Sequence, residues 1–258
     1  MTVKTVVEAV RDALYEELRH DPRVFIIGED VGYMGGVFRA TLGLIEEFGE
    51  ERVIDTPMSE AAIAGVALGA AMKGMRPIAE IEFADFIWPA VNQLIGEASR
   101  VRYGTNGEIW APLVVRAPYG GGVRGGLYHS QSPEACFAHV PGLKVVTPAT
   151  PYDAKGLLKA AVRDDDPVLF FEHKRTYRGI RGEVPDEEYI VPIGVADVKQ
   201  EGEDITVITY GLMVHYSLEA AKFVGKDGLS VEVENTWRRS PVRKIVWKRS
   251  RYESRWRR

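Results

Sequence analysis

A glutamate at the start of an apolar segment is the residue of this sequence whose position most strongly indicates chemistry. Glu60 follows Met58 and Ser59, and the residues after it as far as Met72 are nearly all small or apolar. A carboxylate at the start of a buried helix loses solvation, which is unfavourable unless the group binds a proton or a partner there. The alternative is a helix-start residue that satisfies free backbone N–H groups, with Ser59 as the N-cap. This segment alone leaves both interpretations open.

A histidine that follows the glycine-rich loop 120–126 is the second candidate. His129 lies among polar residues at a predicted loop–helix junction, and histidine is the residue type most often used as a proton carrier near neutral pH. An ordinary surface histidine is the alternative. The loop lacks the Gly-Lys-Ser/Thr ending of a phosphate-binding loop, so we expect it to allow close approach of another chain or a ligand.

Two acidic segments each permit two interpretations. In 80–86, acids alternate with apolar residues before Phe86. This pattern is typical of a strand with one wet face, or of a cleft edge where an aromatic ring packs on a flat ligand. The run 164–166 consists of three aspartates, but adjacent acids do not converge on one ion without unusual backbone, so a solvated turn is the favoured interpretation.

The elements that must position these residues alternate between helix and strand. This order predicts an α/β fold with a largely parallel sheet and helices on both faces. The predicted helices are 6–18, 41–48, 61–72, 86–100, 132–138, 151–162 and 214–224. The predicted strands are 24–28, 52–55, 77–83, 113–116, 144–147, 168–172, 205–210 and 229–233. A polar segment broken by Pro185 and Pro192 is predicted to link two domains, the second of which is incomplete.

Composition excludes several classes of protein. The chain has 258 residues and a net charge of −4, yet residues 236–258 contain ten Lys/Arg against one Asp/Glu, so the rest of the chain is strongly acidic. The negative charge of residues 1–235 is not typical of a nucleic-acid-binding protein. No apolar run is long enough to span a membrane, and no signal peptide is recognisable. The single cysteine, Cys136, excludes an internal disulfide framework, and we expect a cytoplasmic protein.

Many motifs in order resemble one family, the β subunits of the thiamine-diphosphate-dependent decarboxylase component of 2-oxo acid dehydrogenase complexes. The motifs are Gly28-Glu29-Asp30-Val31-Gly32, Gly36-Val37-Phe38-Arg39-Ala40-Thr41, Asp55-Thr56-Pro57, Ser59-Glu60, Arg76-Pro77-Ile78-Ala79-Glu80, His129-Ser130-Gln131, Pro141-Gly142-Leu143-Lys144-Val145-Val146, Pro151-Tyr152-Asp153-Ala154-Lys155-Gly156 and Asp166-Pro167. The stretches 83–85 and 128–135 are more similar to branched-chain enzymes than to pyruvate enzymes. The resemblance covers about the first 240 residues.

The resemblance implies a transketolase-like organisation. Residues 1–178 are expected to form the pyrimidine-binding domain, 179–204 a linker, 205–242 an incomplete transketolase C-terminal α/β domain, and 243–258 an aberrant basic tail. It also implies an α₂β₂ heterotetramer whose α subunit holds the cofactor diphosphate and Mg²⁺, and whose partner is a lipoyl acyltransferase. The implied reaction is oxidative decarboxylation of a 2-oxo acid with acyl transfer to the lipoyl group. Neither nucleic acid nor a membrane is expected as a partner.

Individual site residues follow from the same resemblance. Glu60 matches the glutamate that shares a proton with the cofactor pyrimidine ring, and His129 matches a histidine used for proton transfer and acyl transfer. Met58 and Phe86 match apolar and aromatic residues of the cofactor pocket. Glu82 is also placed in this pocket, but branched-chain relatives commonly have glutamine there. A site for a monovalent cation such as K⁺ is implied at Leu113, Ala161, Asp164 and Asp166.

The chain departs from the family after residue 242, where the likeness ends. We interpret the basic tail as the product of a frameshifted or truncated reading frame. Alternatives to a branched-chain enzyme stay open: a pyruvate or acetoin dehydrogenase β subunit, and an inactive truncated fragment that acts only as an interaction module. A transketolase-like enzyme acting alone is disfavoured, because the sequence has no diphosphate-binding domain with a Gly-Asp-Gly-type metal motif.

Overall fold

The computed structural model describes residues 1–236 and the backbone of residues 238–239. The helices are α1 (Val6–His20), α2 (Leu44–Phe48), α3 (Glu60–Met72), α4 (Val101–Gly104), α5 (Glu134–Ala138), α6 (Pro151–Val162), α7 (Thr176–Gly179) and α8 (Leu212–Val224). The strands are β1 (Thr2–Thr5), β2 (Val24–Gly28), β3 (Val53–Asp55), β4 (Arg76–Glu80), β5 (Val114–Tyr119), β6 (Lys144–Val146), β7 (Val168–His173), β8 (Arg181–Val184), β9 (Asp197–Gln200), β10 (Ile205–Thr209), β11 (Val231–Asn235) and β12 (Arg238–Arg239). The basic tail 243–258 lies outside the described residues.

The main sheet has six parallel strands in the order β6-β7-β5-β4-β2-β3, and β12 pairs antiparallel with β6 at one edge. The strands β2, β5 and β7 are buried along their whole length, because helices cover both faces of the sheet. One apolar core joins the sheet to α1 and α6, and another joins it to α3 on the opposite face. The predicted α/β fold with a parallel sheet is confirmed.

Local sequence explains where the two longest helices of one face begin. Thr5 precedes α1 and Thr150 precedes α6, and each threonine forms a reciprocal capping box with an acid three residues later, Glu8 or Asp153. These caps satisfy backbone N–H groups that the first helical turn leaves without partners. The helix starts therefore lie where the sequence predicted them.

The segment predicted as a continuous helix over 86–100 is wrong in detail. It consists of short 3₁₀ turns at Ala84–Phe86 and Trp88–Ala90, followed by a π-helix at Asn92–Ala98. Pro89 has no N–H to donate, so an α-helical hydrogen-bond ladder cannot run through this position. The β4 strand also ends at Glu80 rather than continuing to Phe83.

The helix α3 is not buried on all sides, which corrects the expectation that it is too apolar to face solvent. Its inner face packs in the core, but Ala62, Val66, Gly69 and Met72 are exposed. The side chain of Ser59 makes no capping hydrogen bond. The exposed positions recur at helical spacing, so this helix presents an uncovered apolar face. We call these four residues the outer face of α3.

The predicted linker carries structure of its own. Within it, β8 pairs antiparallel with β1, and Val191 is buried in the core that contains α1. A smaller sheet follows in the order β10-β11-β9, with β10 and β11 parallel and α8 packed beside them. It contacts the main domain where the His215 Nε2 lies 2.8 Å from the carbonyl oxygen of Ala149. The exact domain boundaries stay predictions. None of the described helices is both long and apolar enough to cross a membrane.

Candidate active site

The candidate residues follow the carboxyl ends of the parallel strands. Glu29 follows β2, Glu60 follows β3, Glu82 follows β4, His129 lies in the connection after β5, and Lys174 follows β7. Parallel strands end at the same edge of a sheet, and in open α/β folds ligands bind at that edge. The fold therefore gathers residues that are far apart in sequence at one side of the sheet.

Glu60 is the first residue of α3 and is only partly covered by this chain. Met58, two residues earlier, is 78% exposed. Another carboxyl group lies close by, because burial and then the charge of Glu60 raise the pKa of Glu29. The carboxyl group singled out in the sequence is therefore partly exposed and lies beside a second acid.

Glu82 is buried and has a close acidic neighbour. Its Oε1 accepts a hydrogen bond of 2.7 Å from the backbone N–H of Val37. A Cβ on Gly36 would lie 3.0 Å from Oε1 of both Glu80 and Glu82, so only glycine leaves room for the two carboxyl groups. Burial, and then the charge of Glu80, raise the pKa of Glu82 to about 8. Glu82 is therefore mainly protonated at neutral pH.

A buried arginine fixes the other end of this acidic pair. Arg116 Nη1 donates to Glu80 Oε2 at 2.5 Å, and Arg116 Nε and Nη2 each donate to a Glu172 oxygen at 2.7 Å. The Tyr177 hydroxyl also donates to Glu172. Arg116 and Glu172 have no solvent exposure. This network joins β4, β5 and β7 beneath the site and holds Glu80 against Glu82.

The imidazole of His129 lies between two phenyl rings. Its centroid is 4.9 Å from that of Phe83 and 5.6 Å from that of Phe86, and both rings meet it edge-on. The backbone after it is held by Asp85, whose Oδ1 accepts hydrogen bonds from the N–H groups of Ser130 (3.0 Å) and Gln131 (2.9 Å). The structure therefore brings together His129 and Phe86, two residues singled out in the sequence.

The residues of the expected monovalent-cation site make other contacts. The carboxylates of Asp164 and Asp166 form ion pairs with Lys144 at 2.7 and 3.2 Å. The carbonyl oxygens of Leu113 and Ala161 accept backbone hydrogen bonds of 2.9 and 3.2 Å. In the described part of the chain, no group of three or more His, Cys, Asp or Glu side chains is arranged to hold a metal ion. The cation site stays a prediction.

Three residues of this site were missed as site residues by the reasoning from sequence: Glu29, Asp85 and Lys174. Glu29 directly follows a buried strand, and this position was a usable signal. Asp85 was noted only as part of an acidic and aromatic run. Lys174 had no signal, because its contacts with Asp85 and His129 join parts of the chain that are remote in sequence.

Comparison with known families agrees with this geometry. Residues 3–179 match the pyrimidine-binding domain of transketolase, and residues 194–246 match the transketolase C-terminal domain. A split-gene transketolase described as an inactive β4 tetramer superposes with a TM-score of 0.69 at 23% identity, covering 90% of this chain and 70% of that one. Transketolase from Leishmania mexicana superposes with a TM-score of 0.68 at 18% identity, covering 92% of this chain and 35% of that one. The fold and site thus define a transketolase-type pyrimidine-binding protein.

Sequence relatives narrow this class. The 2-oxoisovalerate dehydrogenase subunit beta of Bacillus subtilis is 66% identical over 233 residues, which cover 90% of this chain and 71% of the relative. The pyruvate dehydrogenase E1 component subunit beta of the same organism is 50% identical over 242 residues, covering 94% and 74% respectively. The chain belongs to the family of β subunits of thiamine-diphosphate-dependent 2-oxo acid dehydrogenases.

Proposed function

We propose that this chain is the β subunit of an α₂β₂ dehydrogenase that decarboxylates branched-chain 2-oxo acids, and that it supplies the pyrimidine-binding half of the cofactor site. The observation that carries the proposal is the position of Glu60. This partly exposed carboxyl group begins α3, after a strand that ends at the same sheet edge as the strands preceding Phe86 and His129. The 66% identity to a 2-oxoisovalerate dehydrogenase β subunit supports the substrate class.

The residues at this edge fit the ring portion of thiamine diphosphate. A partly exposed carboxyl group, the apolar side chain of Met58 and the half-buried ring of Phe86 offer one proton-sharing partner and apolar surface to a flat heterocycle. The family resemblance assigns the Mg²⁺ and the diphosphate to the α subunit. When bound, the cofactor supplies a carbon nucleophile and an electron sink for the decarboxylation.

The roles of this chain are to bind the ring and to move protons. The Glu60 carboxyl shares a proton with a ring nitrogen of the bound cofactor. His129 moves a proton at its imidazole ring during transfer of the acyl group to a lipoyl group. The phenyl rings of Phe83 and Phe86 restrict the tilt of that imidazole.

The α subunit is proposed to cover the partly exposed side chain of Glu60. Met58 is 78% exposed two residues before Glu60, and Val66 on the outer face of α3 is 57% exposed. Exposed apolar side chains grouped on one helix face are typical of a protein interface. Contact with a partner there would remove Glu60 from solvent, which the proton-sharing role requires.

Coexpression with the α subunit of a 2-oxoisovalerate dehydrogenase tests the function. We expect decarboxylation of 2-oxoisovalerate with an artificial electron acceptor to exceed that of pyruvate, and the Glu60→Gln variant to lose about 100-fold or more in rate. Size-exclusion chromatography should show that this variant still assembles. Full activity of Glu60→Gln would contradict the proposed role. Higher activity on pyruvate would favour the pyruvate enzyme, which 50% identity supports, and an assembled but inactive wild-type complex would favour the interaction module.

A further inference from the structure

Asp85 and Lys174 are buried charged residues to which the proposed chemistry assigns no role. Both side chains have no solvent exposure, and the Lys174 Nζ lies 3.7 Å from Asp85 Oδ2, which is an ion-pair distance but too long for a hydrogen bond. Asp85 belongs to the 3₁₀ turn after β4, and Lys174 directly follows β7. The pair therefore joins two strand ends beneath the candidate site.

The hydrogen bonds of this pair converge on the loop that carries His129. Lys174 Nζ donates to the carbonyl oxygen of His129 at 2.8 Å, and Asp85 Oδ1 accepts the N–H groups of Ser130 and Gln131 at 3.0 and 2.9 Å. Three consecutive residues of the loop are thus held through their backbone. Residues 122–128 before these contacts are exposed, so the pair anchors the loop where it meets the rest of the chain.

The pair also reaches the side chain of His129 through a neighbouring phenyl ring. Lys174 Nζ lies 4.8 Å from the centroid of the Phe83 ring, which in turn contacts the imidazole edge-on. The pair thus contacts Phe83, and not only the backbone, beside the imidazole. The buried pair therefore contacts the surroundings of His129 in two ways, through the backbone of residues 129–131 and through the Phe83 ring.

Stability alone does not account for this pair. Burial lowers the pKa of Lys174, and Asp85 Oδ2 accepts no hydrogen bond within the described residues. Apolar side chains of similar volume would fill the same space without desolvating two charges. What they could not do is hold the N–H and carbonyl groups of residues 129–131.

We propose that Asp85 and Lys174 are positioning residues that hold the imidazole of His129 in place for acyl transfer to the lipoyl group. The inference rests on the proposed function of His129. Misplacement of a reacting group by about 1 Å lowers a rate by about 100-fold. Loss of the pair should therefore reduce acyl transfer while leaving cofactor binding and decarboxylation, which depend on Glu60, largely unchanged.

The test compares Asp85→Leu, which removes the acceptor oxygen, Lys174→Met and the charge-free double variant in the assembled complex with the α subunit. Glu16→Gln is the matched control, because Glu16 forms ion pairs of 2.6 Å with the buried Lys155 and Lys159 on the α1–α6 face, remote from His129. For each variant, kcat for acylation of a lipoyl domain, kcat for decarboxylation with an artificial acceptor, and the Kd for thiamine diphosphate are measured. Hydrogen–deuterium exchange of residues 126–132 is followed without cofactor.

We expect the Asp85 and Lys174 variants to lose about 10- to 100-fold in lipoyl acylation, with decarboxylation and cofactor Kd changed by less than about threefold. Amide exchange in 126–132 should accelerate at least about tenfold. Glu16→Gln should leave the ratio of the two rates unchanged. In combination with His129→Ala, Asp85→Leu should cause no further loss, because residues that act as a unit are not additive.

The outcomes separate this inference from the proposed function. If His129→Ala leaves lipoyl acylation unchanged, the proposed role of His129 fails and the inference fails with it. If His129→Ala abolishes acylation but all three variants of the pair acylate normally, only the positioning role is overturned. Equal losses in both rates, or losses that multiply with that of His129→Ala, would also overturn it. Should a single variant not fold, the charge-free double variant supplies the same comparison.

Discussion

Replacement of Glu82 by glutamine should stabilise the chain at neutral and alkaline pH. The pKa of Glu82 is raised from its ordinary value of 4.5 to about 8, first by burial and then by Glu80. In the unfolded chain this carboxyl ionises above pH 4.5, whereas in the folded chain it keeps its proton. The free energy of unfolding is therefore highest, as far as Glu82 is concerned, below about pH 4.5, and it falls as the pH rises towards 8.

The size of the effect follows from the shift. At pH 7 the unfolded chain gains about 3 kcal/mol by ionising Glu82, since each pKa unit corresponds to about 1.4 kcal/mol. Glutamine is neutral in both states, so this gain disappears. Its amide oxygen can still accept from the N–H of Val37, and its amide NH₂ can donate to Glu80. We expect Glu82→Gln to be more stable by up to about 3 kcal/mol at pH 7 and nearly unchanged near pH 4.5.

Urea denaturation followed by circular dichroism at four values between pH 5 and pH 8 measures this dependence. The exposed Glu108→Gln is the control for loss of one negative charge. A stability difference between Glu82→Gln and the wild type that is the same at pH 5 and pH 8 would refute the reasoning. So would destabilisation at pH 8, which would mean that the folded chain needs a charged carboxylate at this position.

Two further predictions concern the buried network and the uncovered helix. Arg116→Met should destabilise the chain by about 3–5 kcal/mol, because it leaves the buried carboxyl groups of Glu80 and Glu172 without their cation. Urea denaturation measures the change, and an unchanged midpoint would show that the network contributes little. Val66→Arg should change the stability of the isolated chain by less than about 0.5 kcal/mol but prevent assembly with the α subunit. Size-exclusion chromatography of the coexpressed chains measures assembly. Val195→Arg is the matched control, because Val195 is 58% exposed and Val66 is 57% exposed. Assembly of the Val66 variant would place the interface elsewhere.

The wrong expectations about helices have a common physical cause. Apolar spacing in 86–100 predicted one helix, but Pro89 and the packing around it divide the segment into 3₁₀ and π turns. The apolar composition of α3 predicted a helix buried on all sides, whereas this chain covers only one of its faces. A sequence records that a surface is apolar, but it does not record whether the same chain or a partner covers it.

Some features of this protein follow from the sequence alone. Period and capping residues determined the order of helices and strands and the parallel sheet, since these depend on neighbours a few residues apart. The position of Glu60 at a helix start, and of His129 after a glycine-rich loop, could be read in the same way.

Only the tertiary structure decided which distant groups share an environment. The proton on Glu82 depends on Glu80 and on burial beneath Gly36, and the placement of His129 depends on Asp85 and Lys174. These groups lie on different strand ends, and their separation in sequence carries no period. Desolvation and charge interaction act through space over a few ångströms, so they become defined only when the sheet brings the strand ends together.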